Sequence, residues 1–278
     1  MSDIKPSTTS IPNRRDGSAG APKSDTLGAD TPGSENSFLE MIKTLVFAML
    51  IALCARSLVF QPFNIPSASM VPTLLVGDYL YVSKFAYGFS KHSFPFSPPL
   101  FDGRIWGAEP KRGDVIVFKI PKDNSTDFIK RLVGLPGDHI QVIHSEVYVN
   151  GEKLKREKID EIVEVNARGY PDKVVRYRET MPNGASYIVY NHAEDGPLGN
   201  TEIFVVPEGH YFMMGDNRDN SLDSRVQLPN GPVGMVPFEN LIGRAELIWY
   251  STASDSPIYA LWDWLPATRL SRIGTLLR

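Results

Sequence analysis

Two serines, one residue apart and bracketed by prolines, are the first groups in this chain that could do chemistry. Pro66-Ser67-Ala68-Ser69-Met70-Val71-Pro72 is too proline-punctuated for regular helix. Prolines stiffen a loop, and a stiff loop can hold a hydroxyl at a fixed angle of attack. A second run, Asp127-Phe-Ile-Lys-Arg-Leu-Val-Gly, reads as a strand with Phe128, Lys130 and Leu132 on one face and Ile129, Arg131 and Val133 on the other. Each face therefore sets one cation among apolar neighbours. Burial disfavours an ammonium group, so a buried lysine sheds its proton readily, whereas a guanidinium does not. To act as a base near neutral pH the lysine needs its pKa lowered by about 3 units, roughly 4 kcal/mol of environment. A third run, Met214-Gly-Asp-Asn-Arg-Asp-Asn-Ser-Leu-Asp-Ser-Arg225, is densely polar. Its spacing is not that of a calcium loop, since it lacks the sixth-position Gly and the twelfth-position Glu. It can supply a hydrogen-bonded scaffold, with Asp223 and Arg225 as a pair and Ser221 as a small adjustable donor.

Other chemistries have weak claims. The chain has no G-x-S-x-G elbow, no H-E-x-x-H and no glycine-rich phosphate loop. His92, His139, His144, His192 and His210 are scattered without metal spacing, and no one of them is singled out for a Ser-His-Asp triad. The single cysteine, Cys54, excludes an internal disulfide framework and a cysteine-based zinc site. No cofactor and no metal are expected. A formal net charge of −3 over 278 residues leaves no basic footprint, which argues against nucleic acid as a partner.

The elements that must position these groups change character along the chain. Residues 1–37 are rich in Ser, Thr, Gly, Pro and Asp without an aromatic residue, which predicts a disordered tail. From Phe38 the chain is strongly apolar. The uncharged core, Leu45 to Ala55, would span only about 16 Å as helix, against a bilayer core of about 30 Å. Extended over 38–60, with Lys43 and Arg56 placed to snorkel, it is read as one retained transmembrane helix. Beyond Pro62 short β-type runs bounded by Gly, Pro or Asp take over, and Asn150-Gly151 signals a hairpin. The fold class expected is mainly β: antiparallel sheets forming a body from 61–140 and 206–255, with a small β insertion at 141–205. Residues 256–278, with Trp262, Trp264 and several arginines, suit an amphipathic segment on a membrane surface or one docked on the body.

Taken in order after an apolar span, Ser-x-Ser-Met-x-Pro-Thr-Leu, Lys-Arg-x-x-Gly-x-Pro-Gly-Asp and Gly-Asp-Asn-x-x-Asn-Ser-x-Asp-Ser-Arg closely resemble the motifs of bacterial type I signal peptidases, family S26. The resemblance covers about residues 40–250. It implies a membrane-bound serine endopeptidase that removes signal peptides from exported preproteins after small residues at −1 and −3. It makes Ser69 the nucleophile and Lys130 the general base, with the Ser67 hydroxyl and the Ser69 backbone N–H as oxyanion hole. Ser221 matches the serine that orients the lysine, and Asp223 and Arg225 match its support. Phe63, Ile65 and Ile129 match walls of the substrate pockets. Strand alternation turns Ile129 away from Lys130, so its place in a pocket wall calls for a local strand bend.

The partners implied are secretory signal peptides, membrane lipid and the export translocon. The location implied is the inner membrane, crossed once, with the body on the extracytoplasmic face. Two other readings compete. A self-cleaving Ser-Lys protease would want a DNA-binding domain where this chain has its tail and apolar run. A catalytically silent β-domain that binds exported chains would not need all of Ser67, Ser69, Lys130, Ser221 and Asp223.

Overall fold

The structure, a computed structural model, describes residues 34–58, 60–94, 97–99, 101–165, 169–193, 195–227, 229, 231–253 and 266–277. The expected disordered tail lies outside them up to residue 33, as do Trp262 and Trp264. Helix α1 covers Ser34–Leu58 and so begins four residues before the apolar run. It contains no Gly or Pro. Its large apolar side chains are exposed, Phe38, Leu45, Phe47 and Met49 each by more than half. The expectation of a span is not met as such: among the described residues no helix is long and apolar enough to cross a membrane. The side chains of 53–60, the far end of the expected span, lie outside those described. The first part of the helix, through Phe47, and the chain from Ala48 onward are separate compact units.

Among the described residues fifteen strands follow the helix. β1 (Phe60–Asn64), β2 (Asp78–Ser83), β3 (Val115–Lys119) and β4 (Asp127–Gly134) come first. β5 (His139–Ile143), β6 (Glu146–Val149), β7 (Glu152–Lys153), β8 (Lys155–Val165), β9 (Pro171–Thr180), β10 (Ser186–Asn191) and β11 (Phe204–Val205) make up the middle of the chain. β12 (His210–Met214), β13 (Val236–Pro237), β14 (Leu241–Ser251) and β15 (Thr275–Leu276) close it. The largest sheet has the order β1-β2-β14-β3-β4-β12-β13, with β15 also paired to β14. Every strand pairing is antiparallel. Two smaller sheets, β11-β5-β6-β7 and β10-β9-β8, are built from the middle of the chain. Asn150 and Gly151 make the β6–β7 turn, both at positive φ, as a two-residue hairpin of the primed type requires.

Of the two small sheets, β10-β9-β8 bears directly on the proline-rich loop. Val174 of β9 and Ile188 and Tyr190 of β10 pack against Ala68, Val71 and Leu75. On the other side of that loop Ile65, Met70 and Leu74 belong to the core of the large sheet, with Leu80, Val117, Ile129 and Ile248. The serine loop is thus held between two hydrophobic clusters.

The described end of the C-terminal segment, 266–277, is fastened to the body. Arg272 donates to both Asp78 carboxylate oxygens and to the Thr73 carbonyl, and Leu277 is buried in the core. Arg269 donates to the Val76 carbonyl. Of the two readings of this segment, on a membrane surface or docked on the body, these arginines fit the second: they brace the chain that follows the serines. Asp78 explains why: its carboxylate is fully buried and needs cationic and hydrogen-bonding partners.

Candidate active site

The proline-rich segment forms a short 3-10 turn at Ala68–Met70, which buries Ser69 and leaves Ser67 exposed. Backbone and side chain of Asn217 fix this turn: Asn217 N–H donates to the Ser69 carbonyl at 3.1 Å, and its Nδ2 donates to the Ala68 carbonyl at 3.2 Å. Gly215 approaches so closely that a Cβ there would lie 2.5 Å from the Ser69 carbonyl oxygen and 2.5 Å from the Ser221 Cβ. The polar run after β12 is therefore the scaffold of the serine turn.

Lys130 of β4 reaches the turn from the opposite strand. Its Nζ lies 2.8 Å from the Ser69 Oγ and donates to the Ile129 carbonyl at 2.9 Å. The Phe128 ring centroid is 5.1 Å away. Only 3% of Lys130 is exposed. This burial lowers its pKa to about 8, against the opposing pull of the Asp223 and Asp216 carboxylates. A base of that pKa is partly neutral near physiological pH and lies 2.8 Å from a hydroxyl.

Ser67 Oγ is 3.3 Å from Ser69 Oγ. Ser221 lines the same cavity as Lys130, yet the hydrogen bonds of Lys130 go to Ser69 and Ile129. The Ser221 hydroxyl is buried against the Asp223 carboxylate, which it helps keep ionised. Asp223 and Arg225 form a buried two-pronged pair, Arg225 Nε to Oδ1 and Nη2 to Oδ2, each at 2.8 Å. Burial alone would raise the Asp223 pKa, but Arg225 and the Gly215 N–H outweigh it and hold the carboxyl below its usual range. Arg225 also donates to the Arg218 carbonyl, and Asp223 accepts from the Gly215 N–H, so the pair shapes the scaffold loop.

The cavity lined by Ser67, Ser69, Lys130 and Ser221 measures about 880 Å³. Phe63, Ile65, Phe128 and Ile129 form its apolar wall, and Pro197, Leu198 and Leu222 line it as well. Ile129 lines it without the strand bend that alternation calls for: β3 and β4 pair continuously from Val115↔Arg131 to Lys119↔Asp127. The lysine bends instead, its four-carbon stem turning Nζ back to the Ile129 carbonyl. Beyond this pairing, residues 127–130 have no partner on the β12 side, because β12 meets β4 only from Arg131 onward. β1 is likewise the edge of its sheet. Two open strand edges therefore border the cavity.

One buried ion pair was not singled out by the sequence. Arg131 donates to Asp216 through Nε at 2.7 Å and Nη2 at 2.6 Å, with both side chains almost fully buried. Thr73 donates to the same carboxylate at 2.5 Å. The pair ties β4, the loop after the serines and the polar run into one unit. The apolar neighbours of Arg131 on its strand face were the available signal, but the partner lies 85 residues away.

A serine-histidine alternative finds no support in the geometry. His192 pairs Nδ1 with Asp172 at 3.0 Å, but its Nε2 faces Asn217 Oδ1 at 3.1 Å rather than Ser69. Among the described residues no three His, Cys, Asp or Glu side chains could hold a metal ion together.

Comparison with known proteins identifies the family. Residues 38–250 match the family described as signal peptidase, peptidase S26. A signal peptidase I of Rickettsia canadensis is 42% identical over 248 residues, covering 83% of this chain and 90% of that one. One of Rickettsia typhi is 39% identical over 264 residues, covering 89% and 97%. A solved signal peptidase I of Enterococcus faecalis is 27% identical over 49% of this chain and 97% of that one, with a TM-score of 0.29, too loose a superposition to bear on the fold.

Proposed function

The chain belongs to the signal peptidase family, peptidase S26, and is an enzyme that cleaves signal peptides; we propose that it does so through a Ser69–Lys130 dyad. The observation that carries this reading is the 2.8 Å contact between a buried lysine of lowered pKa and a hydroxyl in a braced turn. Neutral Lys130 takes the Ser69 proton as Oγ attacks the carbonyl carbon of the residue at −1. The Ser67 hydroxyl and the Ser69 backbone N–H face the oxyanion that develops. The lysine ammonium then protonates the leaving amine, which frees the mature chain and leaves the signal peptide esterified to Ser69. Lys130, neutral again, takes a proton from the water that hydrolyses this ester. With a peptide in the cavity, the Ser221 hydroxyl accepts from the lysine ammonium and Asp223–Arg225 keeps that hydroxyl in place. The contact of the Ser221 hydroxyl with the Asp223 carboxylate supports this role.

The substrate binds as an extended strand between the open edges of β1 and β4, with main-chain hydrogen bonds to both. Ile65, Phe63 and Ile129, all packed in one core cluster, wall the positions beside the dyad and suit short side chains at −1 and −3. The two small sheets form an accessory region, and its β10-β9-β8 sheet buttresses the serine turn. Helix α1 anchors the chain in the membrane, with the β body on the extracytoplasmic face. Support for the anchor is that its apolar side chains are exposed, a costly arrangement in water.

The test is cleavage of a preprotein with Ala at −1 and −3 by full-length protein in detergent. Wild type should cut at that bond and Ser69→Ala should not, and the full chain should stay with membranes washed at alkaline pH. Processing by Ser69→Ala would remove the dyad, and release of the chain by the wash would remove the anchor.

A further inference from the structure

Beyond the cavity of the dyad lies a second, smaller one of about 370 Å³, and the two share Asp127. Its character is different. Gln61, Lys84, His92, Lys119 and Ser125 line it, where the first cavity is walled by Ile65, Phe63, Phe128 and Ile129. Its place follows from strand geometry. Side chains two residues apart share a face, so Gln61, Phe63 and Ile65 form one row along β1 and its continuation, and Asp127 and Ile129 form another on β4. Along the chain Ile65 and Ile129 stand nearest Ser69 and Lys130, Phe63 comes next, and Gln61 and Asp127, which line the second cavity, are farther on.

A peptide strand laid between the two edges turns its side chains at −1, −3 and −5 towards these rows. Two lining features say what the third position meets. His92 is only 5% exposed, its Nδ1 pairs with Ser97 Oγ at 3.0 Å, and its Nε2 is buried with no partner among the described residues. Burial and the adjacent Lys91 charge lower the His92 pKa, so the ring is neutral and presents one unused hydrogen-bonding nitrogen. The charged groups are Lys84 and Lys119 against the single carboxylate of Asp127, which pairs with Lys119 at 2.7 Å. The lining favours a polar guest, and an acidic one over a basic one.

We propose that this second cavity is a subsite for the signal-peptide residue at −5, accepting a carboxylate or other hydrogen-bonding side chain through His92 and Lys119. It rests on the reading that signal peptides bind along β1 and β4, and extends recognition past the small residues. Cleavage then depends on a polar contact two residues upstream of the −3 position, on the same face of the substrate strand.

The experiment is a peptide series with Ala at −1 and −3 and Ala, Asn, Asp or Lys at −5, cut by full-length protein in detergent. For wild type, kcat/KM should be about 10-fold higher with Asp than with Lys, a difference of about 1.4 kcal/mol, carried mainly by KM. In Lys119→Gln and in His92→Phe the Asp-to-Lys ratio within each variant should fall to about two or below. The ratio is internal to one preparation, so a partly folded variant still reports it. A wild-type ratio near one, a preference for Lys, or a ratio unchanged in both variants would overturn the subsite. Failure to cut even the Ala peptide would instead count against the dyad and its substrate class.

Discussion

Replacing Lys130 by methionine is expected to lower kcat/KM on a signal-peptide substrate by about 10⁴-fold or more while making the folded protein more stable. The two effects have one cause. Lys130 is buried, and its pKa falls from 10.5 to about 8. Between those values the unfolded chain holds a proton that the folded one lacks, so the lysine's contribution to stability grows more favourable as pH rises through that window. Below about 8 both states are protonated, and the folded state bears the full cost of an ammonium group in an apolar site, up to about 3 kcal/mol. Methionine fills nearly the same volume without charge, so at pH 7 it should add about 1–3 kcal/mol to the unfolding free energy. Denaturant melts of wild type and variant in the same detergent measure it. An arginine at this position should be inactive too, because guanidinium does not lose its proton. Equal or lower stability of the methionine variant would mean that Lys130 is not held in a dry site.

The opposite outcome is expected one residue along. Arg131→Met should destabilise by about 3–5 kcal/mol, because it strands the Asp216 carboxylate in the interior. Asp216 is 1% exposed and takes two hydrogen bonds from Arg131 and one from Thr73. The same arginine donates to the Gly113 carbonyl and lies over the Tyr187 ring at 4.0 Å. Removing Asp216 as well, in Arg131→Met with Asp216→Leu, should recover most of the lost stability, since the stranded charge is the main cost. Activity should not recover, because Thr73 and the serine turn stay unclamped. An Arg131→Met protein within about 1 kcal/mol of wild type would show the pair to be dispensable.

What the sequence made legible was local chemistry. The proline-bracketed serines, the alternating strand around Lys130 and the Asp223–Arg225 pair could all be read from short spacings; the structure brings the serines and Lys130 to one cavity, and the pair braces the loop beside it. Partners far apart in the chain were not legible. Arg131 showed as a cation among apolar neighbours, but nothing local names Asp216 as its partner. Arg272 looked like a surface charge because its partner, Asp78, lies 194 positions away. Alternation placed Ile129 away from Lys130, which is correct for the strand; what it left out is how far a lysine stem can turn. The polar cavity beside Asp127 was equally hidden, since Gln61, His92 and Lys119 meet only after β1 has joined β2 and β3 has joined β4 in the large sheet.

The most direct test of the dyad is the pH dependence of kcat/KM for wild type on a peptide with Ala at −1 and −3, between about pH 6 and 11, since this reports ionisations of the free enzyme. A lysine that must be neutral, in a site that lowers its pKa to about 8, predicts activity that rises with pH through that value. A rise centred near 6.5, the reference value of histidine, or one displaced to the ordinary lysine value of about 10.4, would contradict the account.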